Sequence, residues 1–231
     1  LSKYGNDILF SIAQTAEGGY ILGGWSRSNI SSDKTENNIG PLNTNDYWIV
    51  KTDSFGNIQW QNTIGGSLED HLGEILQTGD GGYLLAGTSP SNISGDKSEN
   101  SLGNVDYWIV KVDTMGIIQW QNTIGGNNVD VLLECTMTND NAYIVGGMSK
   151  SNISGDKNEI CKGTYDFWIV KLDQYGVVQW DKTIGGNRAD YIAGIIQTAD
   201  GGYVVGGASG SESTGDKTEN NQGLDDNWIV K

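Results

Sequence analysis

The chain is poor in the residues that build metal centres and covalent frameworks. Its 231 residues include one histidine, two cysteines and two prolines. A single histidine excludes a multi-histidine metal site, and two cysteines are too few for a disulfide framework or a zinc knuckle. One bridge between Cys135 and Cys161, or two unpaired thiols, remain as alternatives. So little proline also argues against a disordered, proline-rich chain.

Positive charge and long apolar runs are scarce as well. Lysine and arginine number 14 against 29 acidic residues, which gives a net charge of −15 and a pI near 4.2. Such a surface repels phosphate backbones and anionic lipid headgroups, so neither nucleic acid nor membrane is an expected partner. No apolar run approaches the roughly 18–20 residues that span a bilayer. There is no signal peptide and no initiating methionine before Leu1, so we expect a trimmed or excerpted chain that belongs to a longer polypeptide.

One sixty-residue unit recurs four times. The string Trp-Ile-Val-Lys begins at Trp48, Trp108, Trp168 and Trp228, always with the same step, and Gln-Trp and Thr-Ile-Gly-Gly recur with it. The copies cover approximately 1–63, 64–123, 124–183 and 184–231, and the first carries about three extra residues near 40–45. Recurrence at this period is typical of propellers and solenoids.

Each copy contains four segments with the composition of short strands. In the second copy they are His71–Thr78, Tyr83–Gly87, Tyr107–Asp113 and Ile117–Ile124, and Asp80-Gly81 predicts a two-residue hairpin turn between the first two. Strands that are apolar on both faces need packed layers on both sides. We therefore predict one all-β domain over residues 1–231, a β-propeller of four four-stranded antiparallel blades.

The unit Asp-Tyr-Trp-Ile-Val-Lys-x-Asp-x-x-Gly-x-x-Gln-Trp-Gln-Asn-Thr-Ile-Gly-Gly, followed by Asp-Gly-Gly-Tyr, resembles the bacterial β-propeller repeats called SBBP repeats. It is most similar to the versions in large secreted proteins of Bacteroidota. The resemblance covers essentially the whole chain and implies a propeller fold and a secreted or cell-surface location. It implies no catalytic residues.

A closed ring is not the only arrangement that the repeats allow. The last copy lacks its fourth strand, and residues 1–6 are too short to replace it. The stretch Trp228–Lys231 would then be a sheet edge, which proteins normally cover. Part of a larger propeller or an open array of blades is the alternative.

Loop lengths predict one binding face. The links between strands one and two and between strands three and four are minimal, whereas the connections of about eighteen residues between strands two and three lie at the opposite end. These long loops share Ser-Asn-Ile-Ser-Gly-Asp-Lys-x-Glu-Asn, then Gly and Asp. The oxygen donors that they offer to calcium, a polyol or a partner are Asp33, Glu36, Asp96, Glu99, Asn100, Asp106, Asp156, Glu159, Asp166, Asp216, Glu219 and Asp226. The other interpretation is that these side chains close turns, with Lys97 paired to a carboxylate.

Two further features suggest binding. Asp7, Asp70, Asp130 and Asp190 precede or begin the innermost strands, where they could ring a channel mouth and bind a cation, or cap turns. Most tryptophans lie in apolar strands and are expected to pack between blades. Trp25 is the exception, since its position holds Thr88, Met148 and Ala208 in the other copies, which makes it the best candidate for sugar contact.

Enzymatic function is not expected. His71 is replaced by Ile8, Val131 and Tyr191 in the other copies, and no Gly-x-Ser-x-Gly elbow accompanies it. We predict a non-enzymatic, secreted or cell-surface structural and interaction module that binds protein or glycan at the long-loop face. The alternative is a multivalent, lectin-like propeller, with calcium as a cofactor.

Overall fold

The computed structural model describes residues 5–231, and these residues form fifteen β-strands and no helix. No stretch of them therefore makes a helix of the length and apolarity that crossing a membrane requires. The strands are β1 (Asp7–Gln14), β2 (Tyr20–Ser26), β3 (Asp46–Thr52), β4 (Ile58–Ile64), β5 (His71–Gln77), β6 (Tyr83–Ser89), β7 (Asp106–Val112), β8 (Ile118–Ile124), β9 (Asp130–Met137), β10 (Tyr143–Ser149), β11 (Asp166–Leu172), β12 (Val178–Ile184), β13 (Asp190–Gln197), β14 (Tyr203–Ser209) and β15 (Asp226–Val230).

Consecutive strands pair antiparallel in four separate sheets. The first three sheets are β1–β4, β5–β8 and β9–β12, and the fourth holds only β13, β14 and β15 among the described residues. The first strand of each sheet carries an irregularity in its register, such as the one between Leu9 and Ser11. The predicted all-β fold, with one sheet per repeat and a last sheet without its outer strand, is confirmed. Closure of the four sheets about one axis stays a prediction.

The chain divides into two compact units of two sheets each. One unit runs up to Ser101 and includes Trp108–Thr123, and the other comprises Leu102–Tyr107 and Ile124–Lys231. In the first unit one face of the first sheet packs on the second sheet, where Ile21 and Ile49 join Leu72 and Ile75 in a core with less than 2% exposure. Because side chains alternate along a strand, this face carries every second residue of β2 and β3.

Aromatic rings join the two sheets of each unit. In the first unit the rings of Tyr47 and Trp108 lie 4.9 Å apart, and the Tyr47 hydroxyl donates to the Trp108 carbonyl at 3.0 Å. In the second unit Phe167 and Trp228 are 5.2 Å apart, within a core that includes Ile192. The expected packing role of the strand tryptophans is thus observed within both units.

The turn between β5 and β6 is one residue longer than the two-residue turn predicted at Asp80-Gly81. The Gly81 amide donates to the Thr78 carbonyl at 2.9 Å, and the Thr78 amide to the Gly82 carbonyl, so the connection is Gly79-Asp80-Gly81. A type I turn followed by a left-handed residue is the common three-residue hairpin, and Gly81 takes this conformation with φ of 85°. The two-residue interpretation was wrong because the third position, not the second, needs positive φ.

Neither Cys135 nor Cys161 is in a disulfide bond. Cys135 is buried, and burial raises the pKa of the Cys161 thiol to about 11. Of the two alternatives left by the sequence, the one without a disulfide bridge is observed.

Candidate functional site

The long connections meet at one end of each unit. In the first unit the turn after β4 lies on the loop before β7: the amides of Ser67 and Leu68 donate to Ser94 Oγ and Ser91 Oγ, both at 2.9 Å. The second unit repeats this arrangement with Asn187 and Arg188 as donors to Thr214 and Ser211. Within each unit the turn after a fourth strand and the long loop between a second and a third strand therefore lie at one end.

The acidic residues at the start of each sheet close turns. Asp70 is fully buried and its carboxylate accepts the Gly66 amide at 2.6 Å. Asp130 and Asp190 do the same for Gly126 at 2.7 Å and Gly186 at 2.9 Å. The exposed Asp7 accepts Ser26 Oγ at 2.5 Å and Ser28 Oγ at 3.0 Å. These contacts are those of a turn cap.

Burial dominates the electrostatics of Asp70. Loss of solvent raises its pKa to about 7, although hydrogen bonds from Ser89 and the Gly66 amide act in the opposite direction. A carboxyl group of this kind is partly protonated near neutral pH, which weakens it as a cation ligand.

A second set of aspartates begins the third strands. Asp46, Asp106, Asp166 and Asp226 each accept an amide of their own loop, from Ile39 (2.7 Å), Leu102 (2.7 Å), Lys162 (2.6 Å) and Gln222 (2.6 Å). The glycine that follows the fourth strand lies directly against this carboxylate: a Cβ on Gly125 would be 2.0 Å from Asp106 Oδ1. Burial raises the pKa of Asp46 to about 6, although the hydrogen bond from the Ile39 amide acts to lower it.

The remaining loop residues also serve the scaffold. Glu36, Glu99 and Glu159 accept the amides of Thr63 (2.6 Å), Thr123 (2.6 Å) and Thr183 (2.8 Å) on the fourth strands. Asn100 Oδ1 accepts the Ile93 amide at 3.1 Å. The side chain of Asp33 is exposed, and its carbonyl accepts Gln61 Nε2 at 2.6 Å.

The aspartate of the Gly-Asp-Lys triplet accepts the amide of the glycine that follows the preceding fourth strand. Asp96, Asp156 and Asp216 accept the amides of Gly65 (3.2 Å), Gly125 (3.2 Å) and Gly185 (3.0 Å). Asp96 faces Glu36 across a groove, and its pKa is raised by burial and by the Glu36 charge. In the second unit the corresponding acids are neutralised, since Asp216 pairs with Lys162 and Glu159 with Lys182.

The candidate ligands do not assemble into a metal centre. Among residues 5–231 no group of three or more His, Cys, Asp or Glu side chains has the geometry to hold a metal ion. Calcium binding stays a prediction, and no described cluster supports it.

An aromatic cluster in the first unit stands apart from this repeated chemistry. Trp25 stacks on His71 with ring centroids 5.4 Å apart and an interplanar angle of 22°, and Phe10 lies 6.3 Å from Trp25. The Arg27 guanidinium is 5.8 Å from the Trp25 centroid. Asn45 Nδ2 donates to His71 Nε2 at 2.5 Å, and burial lowers the pKa of His71.

The second unit has a related cluster at the same repeat positions. Tyr165 and Tyr191 lie 6.2 Å apart, and Lys150 Nζ is 5.9 Å from the Tyr165 centroid. Lys150, Tyr165 and Tyr191 occupy the positions of Arg27, Asn45 and His71. Each unit thus presents partly exposed aromatic rings beside one cation.

Sequence reasoning selected Trp25 but missed its partners. The sequence identifies His71 and Tyr191 only as one position that varies between copies, and no motif marks Phe10 or Arg27. The sequence feature that distinguishes these positions is variation, because they differ from copy to copy whereas the acidic residues recur. A search for departures from the repeat would have found them.

Comparison with known proteins adds little. No family model matches the chain, and no curated protein matches it. Its structure is similar to the crystal structure of an unknown function protein from Dyadobacter fermentans DSM 18053, with a TM-score of 0.46 and 13% sequence identity over 89% of this chain. The chain spans 57% of the length of that protein.

Proposed function

We propose that this chain is a non-enzymatic structural and interaction module of a secreted or cell-surface protein, a β-propeller that contacts its partner through the variable aromatic clusters. The location rests on the resemblance to SBBP repeats. The proposal rests on one observation. The polar residues that recur in every copy stabilise the scaffold, whereas residues that differ between copies form the aromatic clusters.

Repeated polar residues stabilise the scaffold. Asp70, Asp106, Glu99 and Asp96 all accept backbone amides from neighbouring segments. A carboxylate used in this way is held rigidly, and its loss leaves buried donors unsatisfied. Their recurrence in each copy is explained by folding alone.

Variable positions supply the chemistry for recognition. Phe10 is 58% exposed and Tyr191 is 37% exposed, and each lies in a cluster with a cation at its edge. Aromatic rings and arginine are the side chains most enriched where proteins bind partners. A rigid scaffold with variable rings is suited to protein or glycan binding.

One observation favours the lectin-like alternative. Aromatic clusters occur at equivalent positions in both units, so one chain offers two separate contacts of similar chemistry. Two weak contacts on one ligand strengthen binding through effective concentration. In this alternative the sugar packs on the exposed rings, with Arg27 and Lys150 as donors to its hydroxyls.

A glycan array with matched variants distinguishes the structural and interaction module from the lectin-like alternative. The parent chain, Trp25→Ala, Tyr191→Ala and the control Phe55→Ala are compared; Phe55 is 90% exposed and lies on a short turn outside both clusters. Signal that falls at least tenfold in the first two variants and persists in Phe55→Ala establishes the lectin. No glycan signal in the parent removes it.

Calcium dependence is tested by thermal melting with calcium and with chelator. Because ligand binding raises apparent stability by mass action, an unchanged midpoint supports the purely structural role of the loop acids. A midpoint that rises with calcium overturns that interpretation.

A further inference from the structure

A groove in the first unit brings two carboxylates together with an apolar wall. The carboxylates are those of Glu36 and Asp96, and the wall is formed by Ile64 and by residues 115–118, which lead into β8. Asn62 of β4 lies between them in the lining. The groove has a volume of about 420 Å³, and protein sites for small ligands and side chains usually measure about 300–1,000 Å³.

Backbone amides hold both carboxylates at this groove. Glu36 Oε2 accepts the Thr63 amide at 2.6 Å, and Asp96 Oδ2 accepts the Gly65 amide at 3.2 Å. The pKa of Asp96 is raised, by burial first and by the negative charge of Glu36 as well. Two fixed carboxylates that disfavour each other's ionisation favour a positively charged ligand.

The second unit contains the same pair of carboxylates in the same backbone setting. Glu159 and Asp216 are the copies of the two acids. They accept the amides of Thr183 at 2.8 Å and Gly185 at 3.0 Å, which are the copies of the donors in the first unit. The two units therefore hold their acids alike, and the second unit shows what such a pair binds.

Two lysine ammoniums are bound to the acids of the second unit. Lys162 Nζ donates to Asp216 Oδ2, and to the Thr183 carbonyl at 3.3 Å. Lys182 Nζ lies 2.7 Å from Glu159 Oε1. Although burial opposes ionisation of Glu159, the hydrogen bond from Lys182 and the charges of both lysines lower its pKa. Each acid of the pair thus has its own ammonium.

The first unit has neutral residues in place of both lysines. Ile39 stands at the position of Lys162, and each of these side chains lies against the glycine of a Gly-Asp-Lys triplet. Asn62 stands at the position of Lys182, and its Nδ2 atom donates to the Gly116 carbonyl at 2.8 Å. The two ammoniums of the second unit therefore have no counterpart in these side chains.

The charge of Glu36 and Asp96 is left without an ion pair. Within residues 5–231 no lysine or arginine forms an ion pair with either acid. The charge of Lys34 acts on Glu36, but its buried ammonium donates to Thr63 Oγ1 at 3.0 Å. Lys157 donates to the copy of this threonine in the second unit, so this buried lysine is common to both units and replaces neither missing ammonium.

We propose that the groove of the first unit binds lysine side chains of a partner polypeptide, with one ammonium on Glu36 and one on Asp96. The lysine stem packs along Ile64 and residues 115–118, because lysine buries its alkyl chain on apolar surface while its charged end stays polar. The identity of the ligand follows from the second unit, where lysines fill the same acceptors. The groove shares no residue with the aromatic clusters and is independent of the function proposed for them.

The test titrates the complete chain with the peptide acetyl-Gly-Lys-Gly-Lys-Gly-amide at constant ionic strength and follows the methyl resonances of Met115 and Ile117 by NMR. We expect saturable shifts of both resonances. A peptide with norleucine in place of both lysines keeps the stems without the charges, and butylamine keeps a single ammonium without the peptide; each is expected to bind at least tenfold more weakly. No saturation with the lysine peptide, or equal binding of either control compound, overturns the proposal.

Single variants of the chain locate the site. Glu36→Gln and Asp96→Asn each remove one charge and keep an oxygen for the backbone amide, and each is expected to weaken binding of the lysine peptide at least fivefold. Glu159→Gln is the matched control, because this acid is already paired with Lys182, and it leaves binding unchanged. Equal weakening by Glu159→Gln, or full binding in both variants of the first unit, overturns the assignment.

Transfer of the lysines from the second unit is the reciprocal test. In the double variant Ile39→Lys/Asn62→Lys the new ammoniums occupy the two acids, so peptide binding is expected to fall at least tenfold while the melting temperature rises. The double variant Ile39→Gln/Asn62→Gln introduces long side chains without charge and keeps binding within a factor of two. Undiminished binding in the lysine variant, or an equal loss in the glutamine variant, contradicts the proposal.

Discussion

Lys97 Nζ donates a hydrogen bond to Thr123 Oγ1, so that a lysine of the long loop is bound to the outer strand of its own sheet. The same ammonium donates to the Glu99 carbonyl at 3.1 Å and lies 5.7 Å from the Trp108 ring centroid. Lys97 is only 1% exposed. A lysine that looks like a surface charge in the sequence is therefore a structural link between loop and sheet.

Lys97→Ala is expected to lower the free energy of unfolding by about 2–4 kcal/mol, because it leaves buried acceptors unsatisfied and opens a cavity over Trp108. Urea denaturation followed by tryptophan fluorescence measures the change. Lys150→Ala is the control: Lys150 is exposed, and its loss is expected to cost at most about 0.5 kcal/mol. Equal losses in the two variants would contradict the structural role of Lys97.

Gly125→Ala tests the close approach between Asp106 and the glycine that follows β8. An added Cβ would lie 2.0 Å from Asp106 Oδ1, and both residues are buried. We expect a loss of about 2–3 kcal/mol, since the methyl group must displace a buried carboxylate. The free energy of unfolding from urea titrations measures it.

Gly194→Ala provides the matched control for this substitution. Gly194 lies in β13, and an added Cβ would meet nothing within 4 Å. A change within about 0.5 kcal/mol of the parent is expected, because alanine restricts the unfolded chain without a clash in the folded one. A Gly125→Ala variant as stable as this control would refute the contact.

The repeat made the architecture predictable. A constant step between Trp48, Trp108 and Trp168, together with the short turns, was enough to predict one antiparallel sheet per copy, because each sheet is formed by strands close in sequence. Strand ends such as His71–Gln77 lie within two residues of their predicted positions. The length of the turn at Gly81 was wrong because Asp-Gly occurs in hairpin loops of two and of three residues, so this dipeptide does not determine the loop length.

The site was less predictable because recurrence marks both folding and binding. Asp96 and Glu99 recur with the oxygen donors that calcium prefers, yet the structure shows them bonded to the backbone amides of Gly65 and Thr123, which lie 31 and 24 residues away. Such pairings depend on how a loop lies on its sheet, which composition does not reveal. Variation between copies identifies Trp25, whereas its stacking on His71, 46 positions away in the next copy, is visible only in the structure.

Asp80→Asn tests an ion pair that depends on pH. Asp80 accepts Lys111 Nζ at 2.9 Å, and although burial opposes ionisation, the bonds from Thr78 and Lys111 lower the pKa of Asp80 to about 2. A pKa lowered by folding contributes stability above the unfolded value near 3.8 that is lost as pH falls towards 2. Because Asp80 is half exposed, we expect the variant to lose only about 1 kcal/mol at pH 7.

The measurement is urea denaturation at pH 7, 4 and 2.5. The difference between parent and Asp80→Asn should shrink steadily as the pH falls. Asp33→Asn, which changes an exposed side chain, serves as the control and should match the parent throughout. A difference for Asp80→Asn that is independent of pH would show that the carboxylate charge is not involved.

Asp70 is expected to give the opposite pH dependence. Burial raises its pKa to about 7 in the folded chain, against 3.8 as the ordinary value. A pKa raised by folding contributes stability that is complete below the unfolded value and is lost as pH rises through the folded one. Between about pH 4 and pH 7 this group alone should therefore lower the free energy of unfolding, by roughly 2–4 kcal/mol.

Asp70→Asn removes this titration and keeps an oxygen that can accept the Gly66 amide. Denaturation midpoints in urea from pH 4.5 to 8 should fall more steeply in the parent than in the variant. Glu69→Gln, at the adjacent exposed position, is the control and should keep the parent slope. Parallel slopes for parent and Asp70→Asn would mean that the hydrogen bonds from Gly66 and Ser89 outweigh burial and hold Asp70 ionised throughout this range.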